Sequence, residues 1–122
     1  MIVEDNLVNQ RVLMKQLRNL GFDVHVANHG GEALDKLQLS RFWHNAGPDA
    51  IGLNVVLMDQ EMPVMDGLQC TRRIREWQAS GKLVRHVPIV AVTANARAEQ
   101  IAQLLAVGMV SVVLRHVLFF PL

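Results

Sequence analysis

Val55, Val56, Leu57 and Met58 run straight into a carboxylate, Asp59, and Pro63 and Gly67 follow within eight positions of it. An apolar run this short, bounded by turn-forming residues, reads as a strand buried on both faces. Strands of that kind belong to parallel sheets covered by helices, so this run sets the class of the whole chain. Asp59 then falls at the strand's carboxyl end, where open parallel sheets place their chemistry. Taken alone, an Asp in that position is equally a turn starter. A second apolar strand, Ile2-Val3, also ends in acids, Glu4-Asp5, followed by Asn6. Two strand ends carrying Glu4, Asp5 and Asp59 suggest one acidic pocket.

The remaining chain alternates in the same way. Asn6 is placed to cap a helix through about Leu20, with Leu7, Val8, Val12, Leu13, Leu17 and Leu20 on one broad apolar face and Gly21 as its stop. Residues 22–27 alternate apolar and polar, the pattern of a half-buried edge strand. A second helix over residues 32–39 turns Ala33, Leu34 and Leu37 inward. The connection from 40 to 54 exceeds the usual ~2–6 residues of an αβ loop and reads as an insertion. After the 55–59 strand, a helix over 67–80 buries Leu68, Cys70, Ile74 and Trp77. A strand over 88–92 closes on Thr93, a helix over 97–107 turns Ile101, Leu104 and Leu105 inward, and 110–114 forms the last strand. Repeated short βα units with apolar strands predict a doubly wound α/β domain.

Composition narrows what such a domain does. With 122 residues the chain is one domain, 1–122. A net charge of +1 leaves no electrostatic footprint for nucleic acid. The single Cys70 forms no internal disulfide, which fits a reduced, cytoplasmic setting. The most apolar stretch, 109–122, is broken by Arg115 and His116 and falls short of the ~20 residues that span a bilayer, so no membrane contact is expected. The five histidines show no ligand spacing with Cys70, which argues against zinc. Arg72, Arg73, Arg75, Lys82 and Arg85 read as a solvated basic face.

Three carboxylates in one crevice repel one another, and a proton or a bound cation must relieve them. An all-oxygen, partly open set suits Mg²⁺, which keeps several waters. Thr93 ends a third strand and offers a hydroxyl to the same crevice, although it is also an ordinary helix cap. Arg115 offers a cation from a fourth strand end, or simply faces solvent. A carboxylate nucleophile, a metal, a hydroxyl and a cation together make a phosphoryl-transfer site.

Three motifs carry a resemblance. Ile-Val-Glu-Asp-Asn-Leu-Val-Asn-Gln (2–10), Met-Asp-Gln-Glu-Met-Pro-Val-Met-Asp-Gly (58–67) and Val-Thr-Ala-Asn-Ala (92–96) resemble the response-regulator receiver domain (CheY-like), in the right order over roughly residues 1–109. Their wording is closest to receivers attached to hybrid sensor histidine kinases. The resemblance implies a (βα)5 flavodoxin-like three-layer sandwich with a parallel five-stranded sheet in the order 2-1-3-4-5. It implies that Asp59 accepts a phosphoryl group from a phosphohistidine, with a histidine kinase or histidine phosphotransfer protein as partner. Asp5, Asp59 and the backbone carbonyl of Glu61 would hold Mg²⁺, Glu4 would complete the acidic pocket, and Thr93 would be the switch hydroxyl. Glu61 and Asn95 would tune the lifetime of the phosphorylated form. Such a domain also helps catalyse its own phosphorylation and dephosphorylation.

The chain departs from the family after Met109. Val110 and Ser111 stand where acidic residues are expected, Val112 replaces an aromatic, and Arg115-His116 replace a Lys-Pro pair. Arg keeps the charge but exchanges a compact ammonium for a planar fork. Residues 117–122 contain a Pro and are too few for the family's last helix. A flank left bare in this way would expose apolar surface, to be covered by 117–122 in extended form or by a second copy in a homodimer. Two other functions compete. A non-switching pseudo-receiver would bind partners whatever the state of Asp59. A haloacid-dehalogenase-type phosphatase would need Asp-x-Asp, where this chain has Asp59-Gln60-Glu61.

Overall fold

The structure, a computed structural model, describes residues 1–60, 62, 65–93 and 98–109, and the backbone alone of 111–114. Five strands alternate with four helices: β1 (Ile2–Val3), α1 (Leu7–Asn19), β2 (Val26–Ala27), α2 (Gly30–Gln38), β3 (Val56–Asp59), α3 (Gly67–Ala79), β4 (Ile89–Thr93), α4 (Ala98–Ala106) and β5 (Ser111–Leu114). The strands form one parallel sheet in the order β2-β1-β3-β4-β5. The expected order is therefore found. The chain reverses direction across the sheet between β1 and β3, which opens a crevice at their carboxyl ends.

Local chemistry fixes the helix ends. Asn6 caps α1 by accepting from the backbone N–H groups of Val8 and Asn9, both at 3.0 Å. Asp66 caps α3 by accepting from Gln69 at 2.8 Å. Gly21, Gly81 and Gly108 follow α1, α3 and α4 with φ of +92°, +82° and +94°, the left-handed turn that glycine permits.

Period-two alternation sorts the strand side chains into two faces. Val3, Val56, Met58, Ile89 and Ala91 are buried in one cluster with Ala33, Leu34 and Leu37 of α2, Cys70 and Ile74 of α3, and Leu104 of α4. The opposite face carries α1, and there Leu57 and Val90 are only half-buried. Burial on both faces is thus complete for neither β3 nor β4. Residues 117–122, expected against this flank, lie outside the described residues.

Two helix faces differ from the amphipathic reading. On α1, Leu13 is buried and Leu17 half-buried, but Leu7, Val8, Val12 and Leu20 are exposed, Val8 at 69%. Successive residues of a helix advance about 100°, so six apolar positions wrap too far round α1 for all to meet the sheet. On α4, Leu104 is buried and Ile101 half-buried, while Leu105, at one border of the apolar stripe, is exposed.

The long 40–54 connection is folded onto the domain. Buried Ser40 donates its hydroxyl to Leu37 O at 2.7 Å and accepts from Phe42 N at 3.2 Å. Phe42 and Leu53 enter the core, and Trp43 meets Trp77 of α3 edge to face, with centroids 5.2 Å apart.

Candidate phosphoacceptor site

The backbone brings the predicted acids together. Ile2 and Val3 pair with Leu57 and Met58, so Glu4 leaves β1 beside Asp59 at the end of β3. Carboxylate oxygens of Glu4, Asp5 and Asp59 all lie within 4.8 Å of one another. Asp59 is 1% exposed and Glu4 4%, whereas Asp5 faces solvent. Like charges this close in a poorly solvated crevice repel strongly.

Hydrogen bonds hold the acids in place. Glu4 stays in the ladder through its N–H to Ala27 O at 3.1 Å, and its Oε1 accepts from Asn6 N at 3.2 Å. Gln10 fixes the β1–α1 turn from behind. Its buried amide donates to Glu4 O at 3.1 Å and to Asn28 Oδ1 at 2.9 Å. Asn28 in turn donates to the Glu32 carboxylate at 3.1 and 3.2 Å. Gln10 has no assigned role in the sequence reading. The signal was its position three residues before buried Leu13, which turns an amide toward the sheet.

The far side of the crevice is built by β4. Asp59 is in register with Val92, and Gln60 N donates to Val92 O at 3.3 Å. Thr93, the next residue, is buried at the same carboxyl edge. Gln60 folds back, donating its amide to Met58 O at 2.9 Å and reaching Met109 Sδ at 3.9 Å. The structure thus gathers Glu4, Asp5, Asp59 and Thr93 at one end of the sheet. Glu61, Asn95 and Arg115 lie outside the described residues, as does Val110, and nothing is described of the Val112 side chain. Asp66 belongs to the α3 cap.

The donor set fits Mg²⁺. Three hard carboxylate oxygens lie within 4.8 Å of one another, close enough to share one small, oxygen-preferring cation. Exposed Asp5 leaves a side open for the waters such an ion retains.

The model of the response regulator receiver domain family matches residues 1–117. The chain belongs to the response regulator receiver family. This receiver domain is 38% identical over 96 residues to hybrid signal transduction histidine kinase I of Dictyostelium discoideum, an alignment covering 79% of this chain and 5% of that protein. It is 37% identical over 109 residues to the sensor histidine kinase RcsC of Salmonella typhimurium, covering 89% of this chain and 10% of that protein. The receiver therefore spans a small fraction of the length of these relatives. Among solved structures, the receiver domain of the histidine kinase CKI1 from Arabidopsis thaliana complexed with Mg²⁺ superposes with a TM-score of 0.78 at 27% identity, covering 95% of this chain and 81% of that one. The receiver of the response regulator Ssk1, crystallised with the histidine phosphotransfer protein Ypd1 of Saccharomyces cerevisiae, gives 0.74 at 27% identity, covering 93% and 74%. Both the resemblance and the fold expected from it are borne out. The domain is a module of two-component signal transduction.

Among the described residues no helix is long and apolar enough to cross a membrane.

Proposed function

We propose that this receiver takes a phosphoryl group from a phosphohistidine onto Asp59. The observation that carries this reading is a buried carboxylate at the end of the central strand, with two more carboxylates within 4.8 Å. An Asp59 oxygen attacks phosphorus in line, the phosphorus–nitrogen bond breaks, and the imidazole leaves with its electron pair. The product is an acyl phosphate. Asp5, Asp59 and the Glu61 backbone carbonyl, beside Glu4, would hold Mg²⁺, which would supply charge neutralisation for the phosphoryl oxygens.

Residues of the chain do the rest. Burial of Asp59 limits water at the acyl phosphate, and the Gln10 hydrogen bonds hold the Glu4-Asp5 turn against β3. Thr93 would donate its hydroxyl to a phosphoryl oxygen and so bias α4, which follows it in the chain, between two arrangements. Glu61 and Asn95 would set the lifetime, and Arg115 would supply the cation.

The relatives support a place in a hybrid histidine kinase, with a histidine phosphotransfer protein as partner, and such a relay would run in the cytoplasm. Association of two copies would use the half-buried face around Leu57 and Val90, and light scattering would report it.

The reading is tested by incubating the domain and Mg²⁺ with a phosphohistidine-charged phosphotransfer protein. Loss of label from the donor and its appearance on the wild type, but not on Asp59→Asn, is expected. Retention of label on the donor would overturn the reading in favour of a non-switching binding module.

A further inference from the structure

Basic side chains gather at the opposite end of the sheet, by the amino ends of β3 and β4. There the 40–54 insertion and the α3–β4 connection are tied together. Val84 N donates to Phe42 O at 2.8 Å, His44 N to Lys82 O at 2.9 Å, and Val56 N to Pro88 O at 2.9 Å. Between them lies a cavity of about 380 Å³ whose polar lining is Arg41, Asn54, Arg85 and His86, over Phe42 and Pro88. No acidic side chain lines it. Neither arginine takes part in the two ion pairs found among the described residues. The Arg85 guanidinium sits 5.7 Å from the Phe42 ring centroid and donates a long hydrogen bond, 3.5 Å, to Arg41 O.

We propose that this pocket binds a small phosphorylated ligand, a phosphate monoester or diphosphate. Arg41 and Arg85 are both exposed side chains that line this cavity, and an anion seated in it is attracted by two positive charges. Each presents a planar fork that matches phosphate oxygens. Asn54 and His86 add further hydrogen-bonding groups to the lining. A group with two negative charges balances both arginines, whereas a single carboxylate leaves one unneutralised. The volume lies at the small end of ligand sites, roughly 300–1,000 Å³. The proposal is independent of phosphorylation at Asp59, since the two sites occupy opposite ends of the strands.

The test is an amide-resolved NMR titration of the isotope-labelled chain with inorganic pyrophosphate in Mg²⁺-free buffer, with acetate at matched ionic strength as comparison. Saturable shifts at Arg41, Asn54, Arg85 and His86 are expected, with acetate at least about tenfold weaker. The double variant Arg41→Gln/Arg85→Gln should weaken pyrophosphate binding at least about tenfold, and Arg85→Lys, which keeps charge but loses the fork, by less. Arg72→Gln/Arg73→Gln, on the exposed part of α3, should leave binding unchanged. An unaltered spectrum away from the pocket reports that each variant is folded, and His86→Gln serves if the double variant is not. Absence of saturation, shifts confined to Glu4, Asp5 and Asp59, equal effects of the two double variants, or acetate binding as tight as pyrophosphate would each overturn the proposal.

Discussion

The backbone carbonyl of Asp59 lies so close to the α-carbon of Gly67 that a β-carbon there would come within 3.0 Å of its oxygen. The Gln60 amide crowds the same point. The first residue of α3 thus holds the strand end that carries the candidate phosphoacceptor, and only a missing side chain allows it. Gly67→Ala should destabilise the domain by about 1–3 kcal/mol despite the better helix propensity of Ala. It should also slow phosphorylation by displacing Asp59. A urea midpoint equal to wild type would refute the contact.

The acidic crevice predicts an unusual sign. Removing a carboxylate from the cluster of Glu4, Asp5 and Asp59 relieves repulsion. Asp59→Asn should therefore raise metal-free stability, by about 1–2 kcal/mol. Mg²⁺ should raise the melting temperature of the wild type by binding its native state, and that of the variant less. Thermal melts with Mg²⁺ and with chelator check both; a variant less stable than wild type without metal would contradict the first.

Much of this site was legible in the sequence because the strands announce themselves. Apolar runs ending in Glu4-Asp5, Asp59 and Thr93 fix which residues reach the carboxyl edge, and a parallel sheet brings those ends together. The outer face of α1 was not legible. Leu7, Val8 and Val12 look like core residues, yet pattern alone does not say which part of a wide apolar face meets the sheet. Nor does spacing distinguish Arg75 from the solvated arginines Arg72 and Arg73 beside it, since its acceptors come from distant parts of the chain.

Arg75 is half-buried. Its guanidinium donates to Gln78 Oε1 at 2.5 Å, to Val87 O at 2.8 Å and to Gly108 O, tying α3 to the start of β4 and the end of α4. Burial lowers its affinity for the proton, but the group stays charged at any physiological pH. Arg75→Met keeps most of the packed stem and strands two carbonyls, so a loss of about 1–3 kcal/mol is expected. An unchanged urea midpoint would show that the bonds contribute nothing net.

Cys70 gives a pH dependence. Burial pushes its thiol from 9.0 up to about 12. Above pH 9 the unfolded chain releases this proton while the native state keeps it, so the unfolded state binds fewer protons and stability falls as pH rises from 9 toward 12. Chemical denaturation at about pH 8 and about pH 10.5 should show a larger alkaline loss for wild type than for Cys70→Ala. The native thiol should also resist alkylation at about pH 8. Equal alkaline losses, or rapid native alkylation, would contradict the burial argument.

The central claim is that Asp59 becomes an acyl phosphate, and intact-mass spectrometry tests it most directly. The folded domain is incubated with Mg²⁺ and a small phosphodonor, alongside Asp59→Asn. The account predicts a single phosphoryl adduct on the wild type, removed by hydroxylamine and dependent on Mg²⁺, with none on the variant. An adduct that survives in the variant, or no adduct on a folded wild type, would contradict it.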